Sequence, residues 1–446
     1  MKFEKGNKKI INAWCWFDWA NSVYPLVITT AVFPIYFSAV TTTEIPGQAP
    51  SNIVSVFGID FTNSALYSYS LAFSFLLISM ISPLLSGIAD YSGKKKRFMQ
   101  FFSTLGAISS AGLFFFTGMD TLWVGLMFSV LASIGFAGSL VFYNAFLPEI
   151  AHEKDMDMVS AKGFTMGYIG SSILLIMCLA LIMFPTTFGI PDEGMATRIS
   201  FLMAGLWWFG FATITFSRLP ENVHDRKVER GEMLRKGYRE LRSVWRQLQE
   251  AGQKRLRIFL MAFFFYAFGY TTVLYLATIF GENELNLAQE QLIATVLIIQ
   301  FVAIGGSYFF AWFAAKAGNL RSLMLAVVIW AAVCASTWFV HDAMGFYVVA
   351  FFVGTVMGGI QALSRSTYAK MLPETEDHAS YYSFYEFTEK VATALGTFSF
   401  GAIISLTGGM RNSTVFLASV FVVGLGFLIW ANRIPAPPKS PETAAA

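Results

Sequence analysis

Apolar residues run through this chain in twelve long blocks, and polar and charged residues gather between them. The blocks fall at 11–40, 63–89, 98–117, 122–147, 160–184, 197–217, 256–281, 288–314, 321–340, 345–371, 380–406 and 412–433. Each is near the roughly 20 apolar residues that a helix needs to cross a bilayer. The pattern predicts an all-α integral membrane protein of twelve transmembrane helices, because a lipid-bound backbone must satisfy its own hydrogen bonds. Composition agrees: 55% of residues are hydrophobic, 13% are charged and 46 are Phe. A soluble domain of 446 residues could not bury so much apolar surface.

Charge sets the expected orientation. Of the 31 Lys and Arg residues, 28 lie at the N-terminus, in alternate loops and at the C-terminus, all on one side of the predicted bundle. Arg198 and Arg411 lie on the other side, and Lys390 lies within span eleven. This excess places both termini in the cytoplasm of an inner (plasma) membrane. It also explains the net charge of +3 without nucleic acid. No cleavable signal peptide is expected, since the block after Lys2–Lys9 is too long for one. Cys15, Cys178 and Cys334 sit in predicted spans and should be free thiols packed among apolar groups.

The central loop, 218–255, separates six blocks from six. The expected organisation is an N-terminal six-helix bundle over 1–217, a cytoplasmic linker, a C-terminal bundle over 256–433 and a disordered tail over 434–446. Within the linker, Leu234, Tyr238, Leu241, Trp245 and Leu248 recur at helical spacing with Arg235, Arg239, Arg242 and Arg246 between them. Such a helix either lies on the inner leaflet or packs on the ends of other helices. The two halves carry a faint repeat. Leu147-Pro148-Glu149 recurs as Leu372-Pro373-Glu374, and Gly93 meets Gly318 at the same offset of 225. Two related six-helix halves with a site between them is secondary-transporter architecture, and its expected pseudo-symmetry follows.

Charged groups inside spans are costly, so they mark candidate function. In span one, Trp14, Asp18, Asn21 and Pro25 share one helix face. That face lines a cavity, or Asp18 caps the end of the span. In span ten, Gln361 and Arg365 are i, i+4 neighbours; Arg365 clamps an anionic solute, pairs with Asp18, Glu149 or Glu386, or snorkels to the inner surface. In span eleven, Glu386, Glu389 and Lys390 suit an intrahelical ion pair with one carboxylate left over, which could carry a coupling proton. Tyr266, Tyr270, Tyr275 and Gln300 either line the cavity or only pack.

The loop after span two reads Ser86-Gly87-Ile88-Ala89-Asp90-Tyr91-Ser92-Gly93-Lys94-Lys95-Lys96-Arg97. It resembles the loop 2–3 signature of the major facilitator superfamily, with Ala89, Asp90, Gly93, Lys94 and Lys95 matching. Ser86, Ile88 and Tyr91 depart from it. The resemblance implies that Asp90, with Gly93, Lys94 and Lys95, latches the outward-open state. Further segments, Trp14–Ser22, Phe142–Ala151, Gly163–Gly170 and Gln361–Ser366, resemble the unknown major facilitator family, which is similar to fungal autophagy-related vacuolar effluxers. That likeness implies secondary active transport of a small solute, amino acids or similar zwitterions first, with amphipathic drugs or lipids and a non-transporting receptor as alternatives. Protons are the expected coupling ion, a monomer the expected state, and the lipid bilayer the surroundings. No enzyme, cofactor, metal or nucleic-acid function is expected. The four His residues have no close metal-ligand spacing, and no phosphate-binding loop occurs.

Overall fold

The computed structural model describes residues 4–43, 51–221, 233–407 and 410–435. The first six spanning helices are Lys8–Thr41, Asn63–Ser92, Lys95–Gly112, Leu122–Asn144, Met156–Met183 and Glu193–Arg218. The last six are Lys254–Leu285, Gln289–Ala317, Asn319–Ser336, Ala343–Met371, His378–Thr407 and Met410–Arg433. They are called spans one to twelve. Eleven are long and apolar enough to cross a membrane. Span eleven has the length as well, with Glu386, Glu389 and Lys390 in its first half. An even number of crossings leaves both chain ends at one end of the bundle, here termed the terminal end; the other is the distal end.

Span one is not uniform. It is α-helical over Lys8–Asn21, widens to π-helix over Tyr24–Val32, and resumes as α-helix over Phe33–Thr41. Pro25 and Pro34 have no N–H to give to the ladder, so the backbone rearranges around them. Thr30 Oγ1 donates to the Pro25 carbonyl at 2.7 Å, one partner for the loosened backbone.

Between spans one and two the chain forms a β-hairpin, β1 (Ile53–Val56) and β2 (Ile59–Thr62). Its two-residue turn is Phe57-Gly58, at φ 53° and 77°. A hairpin turn of this kind needs positive φ at both central residues. The hairpin adds a small sheet at the distal end to a bundle that is otherwise helical.

The first six spans meet the last six where span five packs on spans eight and ten, and where span eleven packs on spans two and four. Spans eight and ten are nearly in backbone contact. A β-carbon on Gly358 would lie 2.2 Å from the Ala303 carbonyl oxygen, the close approach that small residues permit in membranes. All three cysteines are buried and free, as their apolar context implied.

The linker helix runs over Met233–Gln249. Gly237 sits against Gly87 and Ile88 of span two, and Val244 and Leu248 are buried. Tyr381 of span eleven donates to Gln247 Oε1 at 2.9 Å, and Trp245 packs on Phe384. Of the two sequence expectations for this helix, packing on the ends of other helices is the one that these contacts support. Tyr238 and Trp245, read as part of its apolar stripe, are 60% and 52% exposed. Leu234's side chain, the linker segment 222–232 and the tail 436–446 lie outside the described residues.

Candidate functional site

A cavity of about 240 Å³, counted as space open to the centre of a water molecule, lies between the two sets of six spans. Spans one, two, four, five, seven, eight, ten and eleven all contribute to its wall. The six residues expected along a substrate or coupling pathway, Asp18, Asn21, Gln361, Arg365, Glu386 and Lys390, all line it. The π-helical part of span one adds Pro25, Leu26 and Thr30.

Asp18 and Arg365 form its floor toward the terminal end. Arg365 Nη1 and Nη2 each lie 3.1 Å from Asp18 Oδ2. Nε donates to Ser160 Oγ at 2.9 Å, Nη2 to the Ser160 carbonyl at 2.8 Å, and Nη1 to Asn144 Oδ1 at 3.4 Å. Those contacts occupy all five guanidinium N–H groups. Phe164 and Trp14 pack against the guanidinium, 4.1 and 4.7 Å from ring centre to Cζ. Tyr143 donates to Asp18 Oδ2 at 2.7 Å and stacks on Trp14. Arg365 is 2% exposed. A buried charge so completely engaged has no donor left for a solute, so the geometry is that of a fixed pair between span one and span ten. Trp14 supports the pair and does not line the cavity.

A second charged cluster lies across the cavity on span eleven. Lys390 Nζ is 2.9 Å from Glu389 Oε2 and 3.5 Å from Glu386 Oε2. Tyr270 of span seven donates to Glu389 Oε1 at 2.5 Å. Asn144 of span four donates to Glu386 Oε1 at 2.8 Å. Asn144 therefore touches both clusters, one through each end of its amide. The result is one chain of polar contacts from Tyr143 through Asp18, Arg365, Asn144, Glu386 and Lys390 to Glu389 and Tyr270. Three carboxylates face two cations along it.

Other contacts join the two sets of spans at the terminal end. The Asp90 carboxylate accepts from the backbone N–H groups of Ala379 at 3.2 Å and Ser380 at 2.7 Å, capping the start of span eleven. Anions are favoured there by the helix dipole and its unpaired donors. Gly93 ends span two at φ 67°, a conformation that glycine adopts without strain. Lys95 pairs with Glu149, which also holds His378 Nδ1 at 3.0 Å. Lys94 precedes the third span and is half-buried. The loop after span eight makes the matching contact in the other direction. Asn319 Nδ2 donates to Asp157 Oδ1 at 2.6 Å, in the first turn of span five, and Lys370 Nζ lies 2.5 Å from Asp157 Oδ2. Asn319 stands 225 positions after Lys94, the offset of the internal repeat.

Tyr270, Tyr275 and Gln300 line the cavity, while Tyr266 is buried against Ser364, its hydroxyl 2.8 Å from Ser364 Oγ. Asn144 and Tyr168, whose hydroxyl donates to Gln361 Oε1 at 2.5 Å, were not singled out as site residues from the sequence. Glu149 appeared there only as a possible partner of Arg365, whereas it pairs with Lys95 and His378.

The model of the family described as "Vacuole effluxer Atg22 like" matches residues 6–435. The uncharacterized MFS-type transporter YxiO of Bacillus subtilis is 33% identical over 421 residues, covering 94% of this chain and 93% of that protein. Autophagy-related protein 22 of Kluyveromyces lactis is 25% identical over 404 residues, covering 82% and 79%. Among solved structures, the human organic anion transporter MFSD10 (TETRAN) superposes with a TM-score of 0.70 at 10% identity, covering 95% of this chain and 100% of that one. The transporter FucP in its outward conformation gives 0.66 at 14% identity, covering 96% and 99%. With its twelve spans and loop signature, the chain belongs to the Atg22-like vacuole effluxer family and has the fold of the major facilitator superfamily transporters.

Proposed function

We propose that this secondary transporter moves a small organic solute by alternating access and couples the movement to protons. The bodies that rock are residues 1–217 and 256–433, tethered by 218–255. The observation that carries this reading is the distribution of polar contacts. Among the described residues, side-chain bonds joining the two sets of spans run from the cavity wall to the terminal end: Tyr168–Gln361, Asp18–Arg365, Asn144–Glu386, Ser160 to the Ala362 carbonyl, Asp90 to span eleven, Glu149–His378 and Asp157–Lys370. With the termini in the cytoplasm of the plasma membrane, as the basic loops favour, this is a cavity closed from inside. Asp18 and Arg365 are then the inner gate, and Asp90 with Gly93, Lys94 and Lys95 the latch below it. Proton coupling is supported by the charge count, since three carboxylates against two cations leave one to be neutralised before the cavity changes sides.

The resemblance to vacuolar effluxers favours amino acids or similar small zwitterions. Counterflow in proteoliposomes with a panel of amino acids and amines, with and without a pH gradient, tests the reading. Solute exchange that the gradient accelerates and Arg365→Ala abolishes in folded protein is the expected result. No exchange with any of the panel would remove the transport reading for these solutes.

A further inference from the structure

The cavity contains both charges that a zwitterion would need, yet its two cations are already engaged. Arg365 gives its N–H groups to Asp18, Ser160 and Asn144. Lys390 lies between Glu389 and Glu386. A solute carboxylate would therefore meet no free cation among the charged residues of the wall. Two acceptors are less fully engaged. Glu386 Oε2 and Gln300 Oε1 are buried and have no hydrogen-bond partner within the protein. Glu386 is 4% exposed, and its Oε2 is the more weakly held carboxylate oxygen, with Lys390 Nζ 3.5 Å away and closer to Glu389. A buried acceptor without a good donor is unfavourable, and a solute donor that displaces the long Lys390 contact would satisfy it. The buried unpartnered donor on the wall, Asn21 Nδ2, is neutral.

Resting on the reading of this cavity as the solute site, we infer that it recognises a primary ammonium group at Glu386 and has no requirement for a carboxylate. The preferred solute class is an organic amine with an apolar body. Tyr270, Tyr275, Tyr385 and Phe75 line the same cavity and offer ring faces to a cation. An adjoining apolar recess of about 50 Å³ shares Ala277, Thr295 and Ile299 with it and continues between Phe280, Phe346 and Leu417. It takes a short alkyl or aryl end. Because the wall has one carboxylate more than it has cations, an amine and a proton neutralise the same surplus charge. They exclude one another, and the transport that follows is amine-for-proton exchange. The groups around Glu386 are Tyr382, Tyr385, Glu389 and Lys390 on its own helix, Asn144 on span four, Tyr270 of span seven through Glu389, and Arg365 and Asp18 beyond the Asn144 amide.

Three probes with one aryl body separate the alternatives: phenethylamine, phenylalanine and phenylacetate, titrated calorimetrically into the purified full-length protein. Phenethylamine should bind at least tenfold more tightly than phenylalanine, and phenylacetate should not bind. Its affinity should fall as pH is lowered, through competition with protons. Glu386→Gln should abolish amine binding while the protein stays monodisperse and helical. Gln300→Leu leaves the charge count alone and should weaken binding severalfold. Equal or tighter binding of phenylalanine or phenylacetate, or binding of none of the three to folded wild-type protein, overturns the inference. Counterflow separates its failure from that of the transport reading. Amine binding without exchange removes transport and leaves recognition standing; phenylalanine exchange without amine preference does the reverse.

Discussion

Asp18 and Arg365, 347 residues apart in the chain, meet over the missing side chain of Gly163. A β-carbon at Gly163 would lie 2.3 Å from Asp18 Oδ2 and 2.8 Å from Arg365 Nη2. The glycine on span five is therefore what allows a charge pair between spans one and ten to be sealed from the side. Neither charged group can retreat readily, since Tyr143 also holds Asp18 Oδ2 and Ser160 and Asn144 hold the guanidinium.

Gly163→Ala should push the pair apart. Overpacking of a buried site costs about 1–3 kcal/mol. The expected outcome is a lower thermal midpoint in detergent, followed by tryptophan fluorescence. An unchanged midpoint would show that the pair moves aside freely, and the gate reading would lose its steric basis.

Removing one partner of the pair should be worse than removing both. An uncompensated buried charge costs about 3–5 kcal/mol. Asp18→Asn and Arg365→Gln should each destabilise strongly, and the double variant should be milder than the sum of the two. Additive losses would mean that the two residues act separately, against the geometry.

Asp90→Asn should release the start of span eleven. The amide retains one acceptor oxygen and loses both the second and the charge, a change worth about 0.5–2 kcal/mol at a helix N-terminus. That shifts a two-state balance roughly 2- to 30-fold. Spin-label distances across the distal end should shorten in the variant as the terminal end opens. Unchanged distances would leave Asp90 as a structural cap.

Much of this arrangement was legible in the sequence, for a physical reason. A bilayer demands long apolar runs and taxes every charge within them, so the spans and Asp18, Arg365, Glu386 and Lys390 stand out in one sequence. Their partners do not. Arg365 had three candidate carboxylates, and helix rotation and tilt chose Asp18. One helical turn separates Tyr270 in the cavity wall from Tyr266 in the core. Asn144 escaped notice because a neutral amide costs little in a span, although it links both charged clusters. The β-hairpin did leave a trace: Val54, Val56, Ile59 and Phe61 share one face and alternate with Ser55, Asp60 and Thr62 around Phe57-Gly58.

The linker helix should come away from the bundle when its glycine contact is filled. Gly237 meets Ile88 so closely that a β-carbon would lie 2.5 Å from the Ile88 side chain. Gly237→Leu should expose the helix, and trypsin should cut severalfold faster at Arg235, Arg239, Arg242 or Arg246. An unaltered cleavage rate would mean that the helix is held elsewhere along its length, through Val244, Leu248 and the Tyr381–Gln247 bond.

Asn144 gives the most specific test of how the two charged clusters communicate. Its Oδ1 accepts from Arg365 and its Nδ2 donates to Glu386, so a change at either charge is felt by the other through one rigid amide. With Asn144 in place, the destabilisations by Arg365→Gln and Glu386→Gln should be non-additive by more than about 0.5 kcal/mol. In an Asn144→Ala background the same two changes should become additive, because the relay is gone while both charged groups remain. Thermal unfolding of the wild type and the seven variants in one detergent measures both cycles. Coupling that survives Asn144→Ala would mean that the charges sense each other directly through the low-dielectric cavity, and the amide would then be a packing residue.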